Sequence, residues 1–148
     1  DIDGLGPYFQ PRDTVHAGCR DQDEHLAEVA GLLAMTVPAS VIVGGSASGV
    51  AERLSATLKQ PGLGGYWLHL DVDILDPHVM PAVDSPDPGG LDPDQLTELL
   101  AVLAPGAVGA QVTVFDPDLD PDGRLAGLLT EILVEESGEL GSEHEVNG

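Results

Sequence analysis

The sequence predicts an α/β protein: a parallel sheet covered on both faces by helices. Three observations predict it. Short apolar runs alternate with helix-period segments from about Thr14 to Glu136. Neither an internal repeat nor a linker divides them. The clearest apolar run ends on paired carboxylates, Asp71 and Asp73, beside a Pro-rich loop, and open α/β sheets carry their sites beyond such strand ends.

The elements follow in order. Residues 14–19 read as a short strand, and 23–35 as a helix with Leu26, Val29, Ala30 and Leu33 at i, i+3, i+4 and i+7. A weaker strand is expected over 40–43. Small residues over 44–49 then turn the chain into a helix at 50–58. After the break at 61–65 comes a strand at 66–73. The loop 76–90 holds Pro77, Pro81, Pro86 and Pro88 and cannot be regular structure.

The next helix announces its start. Asp92 suits the N-cap, Pro93 the first helical position, and Gln95 completes a capping-box pattern. Leu96, Leu99, Leu100 and Leu103 give this helix one apolar face. A buried strand is expected over 108–115. The last helix spans 125–136, burying Leu125, Leu128, Leu129, Ile132 and Leu133. The polar stretch from 138 to 148 is expected to fray, which leaves one domain over residues 1–137.

Composition bounds the function. A chain of 148 residues with 42% hydrophobic content has a core of ordinary size. Its net charge of -21 is relieved by only five cations: Arg12, Arg20, Arg53, Lys59 and Arg124. Such a surface repels nucleic-acid phosphates and anionic lipid, so neither is expected as a partner. The acids are spread along the whole chain, as in proteomes of generally acidic, Lys-poor composition. The single Cys19 excludes an internal disulfide and fits a reducing, cytoplasmic setting. No apolar run approaches the ~20 residues that span a bilayer, and no signal peptide is seen. The start at Asp1 rather than Met fits a fragment of something longer.

Asp71 and Asp73 carry the chemistry. At i and i+2 of a strand they would share a face, where two anions repel each other and lose water. A divalent cation such as Mg²⁺, Mn²⁺ or Zn²⁺ relieves both costs. Asp76-Pro77 reads as a turn device, its carboxylate taking backbone N–H groups ahead. The acidic stretch 116–123 resembles a calcium loop but carries Leu129 where the twelfth-position glutamate belongs, so a solvated turn is expected. His69 is expected to pack within its strand, Cys19 to be inert, and the 44–49 turn to lack the ending of a phosphate loop.

Asp71-Val-Asp73-Ile-Leu-Asp76-Pro77, with Pro81-Ala82 and Pro86-Asp-Pro-Gly-Gly-Leu91 after it, resembles the C-terminal signature of the arginase, agmatinase and formiminoglutamase (ureohydrolase) family. Val15-His-Ala-Gly-Cys-Arg20-Asp-Gln-Asp-Glu24 resembles a further family segment, and 116–123 its last strand-loop. The resemblance implies the C-terminal half of a three-layer α/β/α arginase-like fold. It further implies a pair of Mn²⁺ ions, a small guanidino or amidino substrate, and a homo-oligomer. On matching positions Asp71 would bridge the ions and Asp73 would chelate one. The family's remaining ligands, an upstream histidine and an Asp-x-His-x-Asp motif, do not occur in this sequence. Val114 falls where arginases and agmatinases carry the glutamate that grips the guanidinium, which counts against arginine as substrate. The alternative is a non-catalytic homologue that keeps the half-sheet as an interaction module.

Overall fold

In the computed structural model, Gly4 and residues 9–137 are described. The frayed tail expected over 138–148 lies outside the described residues. Strand β1 (Val15–Cys19) leads through the short helix α1 (Leu26–Ala30) into β2 (Met35–Pro38). Helices α2 (Ala39–Val43) and α3 (Ala47–Leu58) follow, then β3 (Tyr66–Asp71), α4 (Pro93–Leu103), β4 (Ala107–Thr113) and α5 (Arg124–Ser137). The α/β reading stands. The parallel ladder is divided among the described residues into two pairs, β1 with β2 and β3 with β4.

Several boundaries differ from the sequence expectation. Helix α3 starts at Ala47 rather than 50. The strand expected to be buried over 108–115 is β4, which ends at Thr113 and is largely exposed because β3 is its one partner among the described residues. Three other elements end or fold differently. Helix α1 stops at its Gly31 cap, so Met35 belongs to a strand rather than to the helix expected over 23–35. The stretch expected as a strand at 40–43 is helix α2. Exposed Val41 and Val43 around buried Ile42 satisfy a period of two. The fully buried Ala39 and Ile42, three apart, satisfy the helical period as well, and Pro38 ahead of them suits a helix start. Strand β3 ends at Asp71, and Asp73 lies in a 3-10 turn, Val72–Ile74.

Helix α4 holds the core together. Its N-terminus is closed by the expected capping box: Asp92 Oδ1 accepts from the Gln95 N–H at 2.8 Å and Gln95 Oε1 from the Asp92 N–H at 3.0 Å. Leu96 and Leu100 pack with Leu70, Val72, Leu125, Leu129 and Ile132. Leu99 and Leu103 turn instead to Val37, Ile42, Val50 and Leu54. One helix thus seals both strand pairs, each buried leucine contributing about 1.5–3 kcal/mol by area alone. On β3, Tyr66 and Leu70 face this core, while Trp67 and His69 face outward. Trp67, 48% exposed, shares the bare face of the β3–β4 pair with His69, Gln111 and Thr113, while Val108 and Val112 of β4 are 58% and 42% exposed.

Candidate functional site

Asp71 closes β3 and caps the turn after it, its Oδ1 accepting from the Asp73 N–H at 3.3 Å. Between the two acids, Val72 is fully buried, and Leu75 just beyond is nearly so. These apolar anchors pin the turn to the core and leave both carboxylates half-buried. The shared strand face expected for i and i+2 is therefore replaced by a turn, yet the carboxylates still meet. Burial pushes the Asp73 carboxyl up to about 6; the Asp71 charge and a hydrogen bond with Asp71 add to it, and Arg20 opposes.

The surroundings fix this turn on three sides. The Asp76 N–H donates to the Leu91 carbonyl at 2.9 Å, and the Leu91 N–H to the Ile74 carbonyl at 2.9 Å. Asp76 is the expected turn device: Oδ1 accepts from the His78 N–H at 3.0 Å and Oδ2 from the Gly89 N–H at 2.9 Å. The His78 backbone and ring and the Gly89 N–H hold its carboxyl well below the usual range. Gly18, at φ 90°, lets β1 approach: a Cβ there would stand 2.5 Å from the Ile74 side chain.

Arg20 is the residue that sequence reasoning undervalued. The sequence shows it as one of five cations and as a letter of a motif, without a role of its own, although an arginine so close to acids in a chain with five cations is itself a signal. Nη1 donates to the Gly18 carbonyl at 3.1 Å, and Nη2 to the Asp73 carbonyl at 2.7 Å. Nε and Nη2 both reach the Asp87 carbonyl, at 3.1 and 2.9 Å.

Other candidates are placed differently from expectation. His69 is exposed rather than packed: its ring nitrogens meet Gln111 and, at 3.2 Å, Thr113 Oγ1 on β4, because it lies on the bare sheet face. The stretch at 116–123 is not merely solvated. Asp120 is buried and accepts from the Leu125 and Ala126 N–H groups at 3.0 and 2.8 Å, satisfying the first turn of α5. Burial works against its charge, but those N–H groups outweigh it and keep the carboxyl below its ordinary value. The small-residue turn uses Ser46 Oγ to cap α3 through the Gly49 N–H at 3.0 Å. Cys19 is buried, and burial pushes its thiol up, which fits an inert role.

Val114 is the one non-glycine residue with positive φ among the described residues, at 75°. It packs against the cluster of Leu70, Val72 and Met80. A side chain in this position is spent on packing rather than on gripping a cation.

As a donor set, two half-buried carboxylates with one pushed toward its neutral form fit a hard divalent cation in charge and atom type. They make one side of a site. Among the described residues no group of three or more His, Cys, Asp or Glu is arranged to hold a metal. Nor is any helix among them long and apolar enough to cross a membrane.

Comparison with known proteins gives the family and the fold. The sequence model of the arginase family matches residues 5–137. Mitochondrial arginase 1 of Arabidopsis thaliana is 35% identical over 75 residues, covering 51% of this chain and 22% of that protein. The arginase structure from Bacillus caldovelox superposes with a TM-score of 0.77 at 26% identity, over 96% of this chain and 46% of that one. Proclavaminate amidino hydrolase from Streptomyces clavuligerus gives 0.76 at 26% identity, over 92% and 44%. A Bacillus subtilis arginase, at 24% identity and a TM-score of 0.81, shares the fold over 93% of this chain and 52% of its own. The chain thus spans about half the length of the solved structures it matches, and its curated matches cover about a quarter of theirs.

Proposed function

The chain belongs to the arginase family, and from that premise we propose that it is the C-terminal part of a binuclear Mn²⁺ ureohydrolase acting on linear amidine or guanidino C–N bonds. The observation that carries this reading is the pair Asp71 and Asp73, crowded and half-buried where β3 ends. These two residues would hold the metal from one side. When bound, the ions supply a water acid enough to ionise near neutral pH. The chain's own contribution is to present two carboxylates on a turn anchored by Val72 and Leu75 and to keep both half-buried. Ligation must displace the proton that Asp73 retains up to about pH 6.

The proposed substrate is a small amidine or guanidine. Arginine itself fits poorly, because Val114 is committed to the core. We infer a homo-oligomer in a reducing compartment such as the cytoplasm, where the free Cys19 is stable. The plant relatives are named as mitochondrial proteins. The test is release of urea from guanidines such as arginine and agmatine, and of the carboxamide from other amidines, by the longest natural form of the protein loaded with Mn²⁺. Hydrolysis of any one supports the reading; none of all, with Mn²⁺ bound, contradicts it.

The second reading, a non-catalytic homologue, is favoured by the same Val114 and by the half-set of ligands. It predicts Mn²⁺-independent folding and no turnover of any amidine.

A further inference from the structure

We propose that Arg20 is a positioning residue for the Val72–Ile74 turn, tying the backbone between Asp71 and Asp73 to β1 and to the Pro-rich loop so that both carboxylates are held for a divalent cation. The inference rests on the reading of Asp71 and Asp73 as cation ligands and goes beyond it.

Three segments far apart in sequence meet at one guanidinium. Gly18 is the penultimate residue of β1, Asp73 lies in the turn, and Asp87 belongs to the Pro-rich loop. The Arg20 donors reach the carbonyl oxygens of all three, with a longer contact of 3.4 Å to the Leu75 carbonyl. The acceptors are backbone atoms. The charge of Arg20 is therefore not cancelled by a carboxylate in these bonds, and it acts on Asp73 by field alone, favouring its ionised form.

The packing around the fork is tight. A Cβ on Gly90 would stand 2.6 Å from Arg20 Nη2 and 2.5 Å from the Asp76 backbone nitrogen, so the site has no slack on that side. A guanidinium is suited to this task because its donors are planar and rigidly spread, so one side chain fixes several carbonyls at once. Lysine presents a compact ammonium and cannot reproduce the spread. Groups that set ligand direction without touching the metal commonly govern its affinity.

The experiment is a Mn²⁺ titration of the longest natural form, read by the electron paramagnetic resonance of free and bound ion. Arg20→Gln is expected to weaken Mn²⁺ binding about 10–100-fold, the effect typical of losing an outer support. Arg20→Lys keeps the charge, is expected to recover only part of the affinity, and serves if Arg20→Gln does not fold. Asp120→Ala is the control for destabilisation alone, since the Asp120 carboxylate is taken up by the N–H groups of α5. It should melt lower yet bind Mn²⁺ as the wild type does. Wild-type affinity in both Arg20 variants overturns the proposal, as does an equal loss in Asp120→Ala. The double variant Asp71→Ala/Asp73→Ala separates the two readings. If it still binds Mn²⁺ normally, the ligand assignment falls and the Arg20 role falls with it. If it loses Mn²⁺ while the Arg20 variants do not, the Arg20 proposal alone is wrong.

Discussion

Strands β3 and β4 run side by side in parallel, and each leads at its carboxyl end into a 3-10 turn capped by an aspartate. Asp71 accepts from the Asp73 N–H at 3.3 Å; Asp116 accepts from the Asp118 N–H at 2.9 Å. The spacing Asp-x-Asp is the same and the backbone device is the same. The fates of the carboxylates differ. In the first turn the second carboxylate is half-buried against its neighbour and pushed up to about 6. In the second, Asp118 points to solvent, and the next acid along, Asp120, is consumed by the N–H groups of α5. One turn keeps its carboxylates in mutual conflict, where a cation would relieve them. The other satisfies its buried carboxylate within the chain. A local motif names the residue types; only the packing beneath it decides whether a charge is left over.

The strongest way to break this comparison is to remove an acid from each turn. Asp73→Ala is expected to abolish Mn²⁺-dependent amidine hydrolysis in the longest natural form, whereas Asp118→Ala leaves it unchanged. Equal losses from the two would mean that the turns are not functionally distinct. The second effect is structural. Asp120→Ala leaves two N–H groups of α5 without their acceptor, so the melting temperature should fall by several degrees. Because the Asp120 carboxyl is held below its ordinary value, its contribution is present above the ordinary carboxylate pKa and lost as acid protonates it. Thermal melts at pH 7 and pH 3 should therefore differ less in Asp120→Ala than in the wild type.

Asp73 has the opposite sign. Its carboxyl is raised from 3.8 to about 6, so the folded chain binds more protons than the unfolded one between those values. Stability from this group falls as pH rises through that window. In the metal-free protein, Asp73→Asn should thus melt higher than wild type at pH 7 and about equally near pH 3.5. A lower melting point at pH 7 would show that the carboxylates are not in conflict. The smallest change is at Asp118, which is exposed; its replacement by Ala should alter stability by no more than about 0.5 kcal/mol.

The sequence disclosed the elements whose signals are local. Asp92, Pro93 and Gln95 marked the start of α4 because a capping box is a short-range device. That a strand leads into the Asp71 and Asp73 pair was equally legible, since Tyr66, Leu68 and Leu70 are apolar at alternate positions before it. Three things were not legible. Val41, Ile42 and Val43 fit both periods, so α2 read as a strand. The end of β3 at Asp71 depends on Val72 being drawn fully into the core, which no window of sequence displays. The Arg20 contact to Asp73 spans 53 residues and exists only once the strands are assembled. The two carboxylates of the proposed site were visible in the chain, and the framework that holds them was not.

The most direct test of the account is the Mn²⁺ affinity of the longest natural form as a function of pH, measured beside Asp71→Ala/Asp73→Ala and Asp116→Ala/Asp118→Ala. The account predicts that wild-type affinity climbs as pH rises through about 6, where Asp73 gives up its proton. It predicts the same curve when the second turn is altered and loss of binding when the first is. Mn²⁺ binding that survives in the first double variant, or that vanishes equally in the second, would contradict it.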